Sequence, residues 1–275
     1  MPSKDSAPVV REPVVAGIFY PAQKRPLAEL IDQLLGRRAV KKKALAVLVP
    51  HGGYTVSGAV AGSVYSRVRC TRVAVVIGPS HTGKGKPLSV MTRGTWATPL
   101  GQLPVDAALA KAILKSAGDL ESDAQAHQEE HSVEVQLPFL QRSGGVRSFV
   151  PVVLGAADVS QVRRIGQGIA RAVRETGQEA LLICSTDLTH YEPQQSAQAK
   201  DALAVQQIMA LDEHGLLRTV EQHSISMCGV VSAAVVIAAA KELGASGATL
   251  VKYQTSAEMT GEFDSVVGFA GVVIQ

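Results

Sequence analysis

Residues 44–54 read Ala-Leu-Ala-Val-Leu-Val-Pro-His-Gly-Gly-Tyr. An unbroken apolar run without polar alternation is what a strand buried on both faces requires, and the glycine pair permits the tight turn that ends it. The same pattern recurs twice. Residues 72–81 read Arg-Val-Ala-Val-Val-Ile-Gly-Pro-Ser-His, and residues 180–190 read Ala-Leu-Leu-Ile-Cys-Ser-Thr-Asp-Leu-Thr-His. Each is an apolar strand followed closely by a histidine. Strands are predicted at 44–49, 72–77, 87–91, 147–154, 180–185, 248–252 and 265–273, and helical patterns fill the gaps. In the helix predicted over 26–35, Pro26 lies in the first turn, Leu27, Leu30, Ile31, Leu34 and Leu35 form an apolar stripe, and Gly36 follows the end. The segment 56–68 is rich in Gly, Ala and Ser and is expected to lie close against the sheet. Further helices are predicted at 105–115, 132–141, 159–175, 197–211 and 229–243. Strands alternating with helices predict an α/β fold, a single domain over 13–275 with a mostly parallel central sheet flanked by helices. Residues 1–12 are expected to form a disordered N-terminal arm.

Composition narrows the function. Hydrophobic residues make up 46% of the 275 residues and aromatics only 4%, so Ala, Val, Leu and Ile must fill the core. The net charge is +3. The densest basic run, Arg37, Arg38, Lys41, Lys42 and Lys43, has no interleaved aromatics to stack on bases and reads as a solvated loop, so no nucleic-acid partner is expected. The three cysteines, Cys70, Cys184 and Cys228, are odd in number and far apart, which fits a reducing compartment. The first eight residues lack the apolar core of a signal peptide, and the apolar run 230–240 is about half the length that spans a bilayer. We therefore expect a cytoplasmic protein with no membrane partner.

His51, His81 and His190 each follow a strand. In open parallel sheets the carboxyl ends of the strands form the ligand crevice, so three histidines delivered there by separate strands can converge on a metal or act as acid and base. His131 lies near a helix start beside Glu130 and Glu134, where a structural and a pocket role are equally open. His127, His214 and His223 are expected at solvated positions. Cys70 and Cys184 read as inert small hydrophobes. Cys228 precedes an apolar helix whose N-terminus would favour thiolate, which makes it a candidate ligand or reactive thiol. Asp187 can orient a pocket histidine, hold a bound water, or simply cap a helix. Tyr54, Trp96, Tyr191 and Tyr253 are candidate pocket walls. Neither a glycine-rich phosphate loop nor a serine nucleophile elbow is present.

Taken together, Pro50-His51-Gly52-Gly53-Tyr54, Gly78-Pro79-Ser80-His81, Glu130-His131-Ser132-Val133-Glu134, Ser185-Thr186-Asp187-Leu188-Thr189-His190 and Cys228-Gly229 resemble, in order, the motifs of the Memo family. The resemblance runs from about Val15 to the C-terminus. It implies a fold similar to the class III extradiol dioxygenases, which bind ferrous iron through two histidines and a glutamate. By that resemblance His51 and His81 are metal ligands, Cys228 stands where the family carries its third ligand, and Asp187, His190 and His131 line the pocket. Bacterial and archaeal members resemble protein B of the AmmeMemoRadiSam system, named together with a radical SAM enzyme. Animal members look like signalling adaptors of cell motility.

A thiolate in place of a carboxylate is softer and shifts preference toward Cu(I), Zn or thiolate-ligated iron. The expectation is a mononuclear site for Fe(II), with Cu or Zn as alternatives, in a metal-dependent redox enzyme acting on a small-molecule or peptide ligand, with His190, Asp187 and His131 as its catalytic groups. A second reading is a non-catalytic module that binds a peptide or partner, as an accessory to a radical SAM enzyme. A third, zinc hydrolysis, has the ligand chemistry but no family support.

Overall fold

The computed structural model describes residues 9–36 and 40–275. In chain order its elements are β1 (Val10–Arg11), α1 (Lys24–Leu35), β2 (Ala46–Val49), α2 (Tyr54–Tyr65), β3 (Val73–Pro79), β4 (Leu88–Val90), β5 (Thr95–Thr98), β6 (Gly101–Pro104), α3 (Ala107–Ser116), β7 (Glu121–Ser122), α4 (Gln125–Gln128), α5 (His131–Glu134), α6 (Leu137–Ser143) and β8 (Ser148–Leu154). They continue with α7 (Val159–Thr176), β9 (Ala180–Ser185), β10 (His190–Glu192), α8 (Gln194–Met209), α9 (Glu213–Gln222), α10 (Val230–Glu242), β11 (Ala248–Thr255), α11 (Ala257–Thr260) and β12 (Val266–Ile274).

The seven predicted strands, joined by the unpredicted β7 and β10, form one nine-stranded sheet in the order β10-β12-β2-β9-β3-β8-β4-β7, with β11 added on β12. Its centre, β2-β9-β3-β8, is parallel. The neighbours on either side are not: β12 runs antiparallel to β2, and β4 antiparallel to β8. Every residue of β2, β3 and β9 is buried, as their unbroken apolar runs require. Because these three strands are parallel, His51, His81 and Asp187 all emerge at the same edge.

Helix α10 is apolar all round, and Ser232–Ala240 are buried between α7, α9 and the sheet. Among the described residues no helix is long and apolar enough to cross a membrane. Helix α2 packs on β2, β11 and β12. It lies close against the sheet as expected, but its glycines face α1 instead. A side chain at Gly62 would meet the backbone oxygen of Leu34 at 2.2 Å, so the glycines of α2 admit α1, while Gly271 of β12 makes room for Val60 and Val64.

The helix expected over 132–141 is two helices. Proline has no N–H to give the carbonyl four residues back, and Pro138 would have had to bond Glu134, where α5 ends. Helix α9 was missed, although Asp212 caps it by accepting from the Gly215 amide at 2.8 Å.

The expected N-terminal arm is corrected at its inner end. Val10–Arg11 pairs with β5 of a second, three-stranded sheet, β1-β5-β6. Residues 1–8 lie outside the described residues, as do Arg37 and Arg38 of the basic run. Arg11 is 4% exposed; its guanidinium ion-pairs with Glu134, donates to the carbonyls of His127 and Glu130, and lies 4.2 Å over the Trp96 ring. Trp96 is therefore a core residue of the second sheet rather than a pocket wall. His127, expected in solvent, is fully buried beside it with Ser89 Oγ 3.1 Å from Nε2, and burial pushes its pKa down to about 3.

Removing one partner of a buried ion pair leaves the other charge stranded, at a typical cost of about 3–5 kcal/mol. Glu134 keeps other donors, so Arg11→Met is expected to lower stability by about 3 kcal/mol, read as a lower urea midpoint with an unchanged denaturant slope.

Candidate functional site

His51 leaves β2 after Pro50 and is 2% exposed. Its backbone N–H donates to Asp187 Oδ1 at 2.9 Å, which ties the loop after β2 to the loop after β9. Its ring Nδ1 lies 3.1 Å from Ser185 Oγ. The Ser185 hydroxyl has one proton, spent on the Ser132 carbonyl at 2.6 Å, so toward His51 it can only accept. His51 therefore carries its proton on Nδ1 and presents a bare Nε2, which lies 3.4 Å from Cys228 Sγ. Burial lowers its pKa to about 4, with the Asp187 charge opposing, so the ring is neutral near pH 7.

His81 is held by Glu130, whose carboxylate accepts from the His81 amide at 2.6 Å, from His81 Nδ1 at 2.9 Å and from the Ser132 amide at 2.8 Å. Burial opposes ionisation of Glu130, but these bonds outweigh it and hold its pKa at about 2. A carboxylate can only accept, so His81 also bears its proton on Nδ1 and leaves Nε2 free. Glu130 adjoins His131 in sequence, yet its oxygen is 3.6 Å from that ring and the firm bonds go to His81.

His131 stacks on His81 with ring centres 4.5 Å apart and meets His51 edge-on at 5.4 Å. Of its two open roles the structure thus selects the pocket. Phe19 packs edge-on against it at 5.0 Å. Burial lowers the pKa of His131.

Cys228 sits just before α10, pressed onto the end of β9. A side chain on Gly229 would meet Thr186 at 2.6 Å, so only glycine allows this approach. Sγ accepts from the Asp187 amide at 3.3 Å. The expected thiolate bias of the helix N-terminus is overturned: burial, then the Asp187 charge, push the thiol up to about 12. Cys70 and Cys184 are buried with raised pKa values, as expected of inert thiols.

One ligand atom from each of His51, His81 and Cys228 lies within 4.8 Å of the others, and His81, Glu130 and His131 form a second such group. Three neutral-side donors with bare lone pairs or an ionisable sulfur, aimed at one point by buried partners, fit a borderline or soft metal ion. Glu130 is already committed to three N–H donors, which makes the second group the poorer one.

His190 does not join the ligands. It lies in β10 at the rim of the same cleft, a space of about 550 Å³ that also touches Phe19, His131, Asp187, Tyr191 and Phe269. Its amide donates to Ser226 Oγ at 2.7 Å, and Nδ1 faces the Ser226 carbonyl at 2.9 Å, so Nδ1 carries the proton and Nε2 can accept one. Asp187 bonds His51, not His190. Of the four expected walls only Tyr191 lines the cleft, while Tyr54 donates to the Val135 carbonyl and Tyr253 to Asp201. Phe19, Phe269 and Gln136 carry no signal in the sequence, and Ser185 stands in a motif without an assigned role. Gln136 carries no local signal, yet its amide, fully buried, donates to Ser185 Oγ at 2.8 Å and to the Pro50 carbonyl at 2.9 Å.

A MEMO1 family protein of Methanopyrus kandleri is 39% identical over 280 residues, covering 96% of this chain and 99% of its own. Those of Pyrobaculum arsenaticum and Aquifex aeolicus are each 40% identical, over 276 and 267 residues, covering 96% of this chain and 98% of theirs. An uncharacterized protein from Escherichia coli K12 has a crystal structure that superposes with a TM-score of 0.58 at 14% identity, over 84% of this chain and 100% of that one, a likeness of fold alone. The profile of the family described as Memo-like protein matches residues 11–273, and with these full-length relatives it establishes that the chain belongs to the Memo family.

Proposed function

We propose that this protein is a mononuclear non-haem metal protein, holding Fe(II), or else Cu, through His51, His81 and Cys228, and that it works as a metal-dependent oxidoreductase on a small-molecule or peptide ligand. The observation that carries the reading is the pair of fixed tautomers: Ser185 and Glu130 each take an Nδ1 proton and leave two bare imidazole nitrogens beside one sulfur. Bound iron would supply one-electron chemistry and open coordination positions. The protein's own residues do the rest. His190 Nε2 accepts a proton from a ligand in the cleft, Asp187 fixes the His51 loop and the sulfur, and Phe19, Phe269 and Tyr191 wall the ligand in.

The second reading, a partner-binding module serving a radical SAM enzyme, draws support from the openness of the cleft and from Tyr191, 78% exposed at its mouth. It needs no metal.

Anaerobically purified wild-type protein is expected to hold near-stoichiometric iron or copper by elemental analysis, and Cys228→Ala or His81→Ala to lose it. Protein free of metal that also fails to take up Fe(II) would transfer the case to the partner-binding module. His190→Ala is expected to retain wild-type metal content, since its ring is tied to Ser226 at the rim; loss of metal in that variant would contradict the division between ligands and base.

Affinity should depend on pH in a defined sense. His51 titrates at about 4 and is already unprotonated near neutrality, while the Cys228 thiol, at about 12, must give up its proton to bind. From pH 6 to 9 the affinity for Co(II), a spectroscopic probe, is expected to rise about tenfold per pH unit. Competition with a chelator of known pH dependence measures the slope, and Cys228→Ser should flatten it.

A further inference from the structure

At the opposite edge of the sheet, where the parallel strands begin, lies a cleft of about 670 Å³ lined by Lys43, Arg69, Arg72, Arg147 and, among others, Asp106 and Glu179. The register aligns four of these charges. Val73 lies opposite both Ser148 and Ala180, and Ala46 opposite Leu182, so one row carries Lys43, Glu179, Arg72 and Arg147 in that order. The Arg147 amide donates to the Arg72 carbonyl at 2.7 Å, which fixes these two as neighbours. Arg69 joins them from the segment before β3.

The acids leave Arg72 and Arg147 aside, Glu179 serving Lys43 and the field of Arg69. Glu179 takes the Lys43 ammonium at 2.5 Å. Asp106 spends one oxygen on the Leu109 amide at 3.0 Å and the other on the Ser148 hydroxyl at 2.9 Å. No guanidinium of Arg69, Arg72 or Arg147 makes a hydrogen bond or ion pair with a described residue. Neighbouring strands are only about 4.8 Å apart, so the chain holds like charges together over a concavity with their planar donors unspent. That is the donor set that phosphate oxygens satisfy, two at a time. A smaller adjoining cavity of about 240 Å³ shares Lys43, Thr71, Gln178 and Glu179 and is walled by Val173 and Leu243, which gives an apolar remainder somewhere to lie.

We propose that this cleft is a second binding site, separate from the histidine and cysteine cluster, for a small molecule carrying a phosphate or diphosphate group. A nucleic acid fits less well, because the lining has no aromatic side chain to stack on bases. A membrane surface fits less well, because the charges lie in a hollow without a large exposed apolar anchor in its lining.

Isothermal titration of the full chain with inorganic pyrophosphate, at constant ionic strength, tests the site. Saturable binding is expected, weakened about tenfold or more in R72Q/R147Q and unchanged in R218Q, which removes an exposed charge of α9. The single variant R147E, checked by circular dichroism, repeats the test at one position and should abolish binding. Absence of saturable binding by the wild type, an equal loss in R218Q, or retention in R72Q/R147Q would each overturn the proposal. So would binding to an oligonucleotide or to anionic vesicles without binding to pyrophosphate.

Discussion

The carboxylate of Glu130 has no exposed surface, and a charge removed from water survives only if donors replace the water it lost. It finds three, and two belong to one residue: the amide and the ring Nδ1 of His81. The charge that must be satisfied thereby fixes both where the loop after β3 runs and which nitrogen of its histidine faces the cluster. Stability and site geometry rest here on the same bonds. Those bonds exist because Glu130 is the N-cap of the short turn that begins at His131, a position from which its carboxylate reaches across to the end of β3.

The other end of that turn anchors a distant stretch of chain. Glu134 accepts from the Tyr20 hydroxyl at 2.5 Å and from the Val14 and Val15 amides, besides its ion pair with Arg11. The segment so held carries Phe19 onto His131 and lets the Tyr54 amide bond the Phe19 carbonyl at 2.8 Å. One wall of the cleft is thus made of residues over a hundred positions from the turn that secures them. Arg11 over Trp96 extends the tie to the small sheet, whose evident role is to hold this segment down.

Legibility followed the range of the interactions. The central strands and most helices were readable because their signals are local: unbroken apolar runs, an apolar stripe, a proline or glycine at an end. His51 and His81 were readable because strand ends in a parallel sheet converge whatever the detail. The first sheet residues and the buried state of His127 and Trp96 were not, since they depend on Arg11 meeting Glu134, a pairing no window of sequence contains. The broken helix was signalled by Pro138 all the same, and the apolar spacing around it overrode that signal. That Glu130 holds His81 was hidden for a related reason. Adjacency in sequence suggested a partner, whereas the backbone turn aims the carboxylate at the neighbouring strand.

Cys228 is where local reasoning was most misleading, and the reason bears on how the site can act. Position before a helix suggested a thiolate, but burial and the Asp187 charge leave a neutral thiol. Two imidazoles of the same cleft, His51 and His131, are also poor places for a proton, both shifted toward the neutral form by burial. The thiol and these two imidazoles are therefore neutral near pH 7, while Glu130 stands ionised behind His81. On the proposed metal reading these three groups offer no cation to repel an incoming ion, and the negative sulfur would appear only when an ion displaces its proton. A carboxylate at the same position would keep its charge with or without the ion. On the proposed metal reading the thiol would make occupancy and ligand charge one event, so that the electrostatic character of the cleft would be set by whether the cluster is filled.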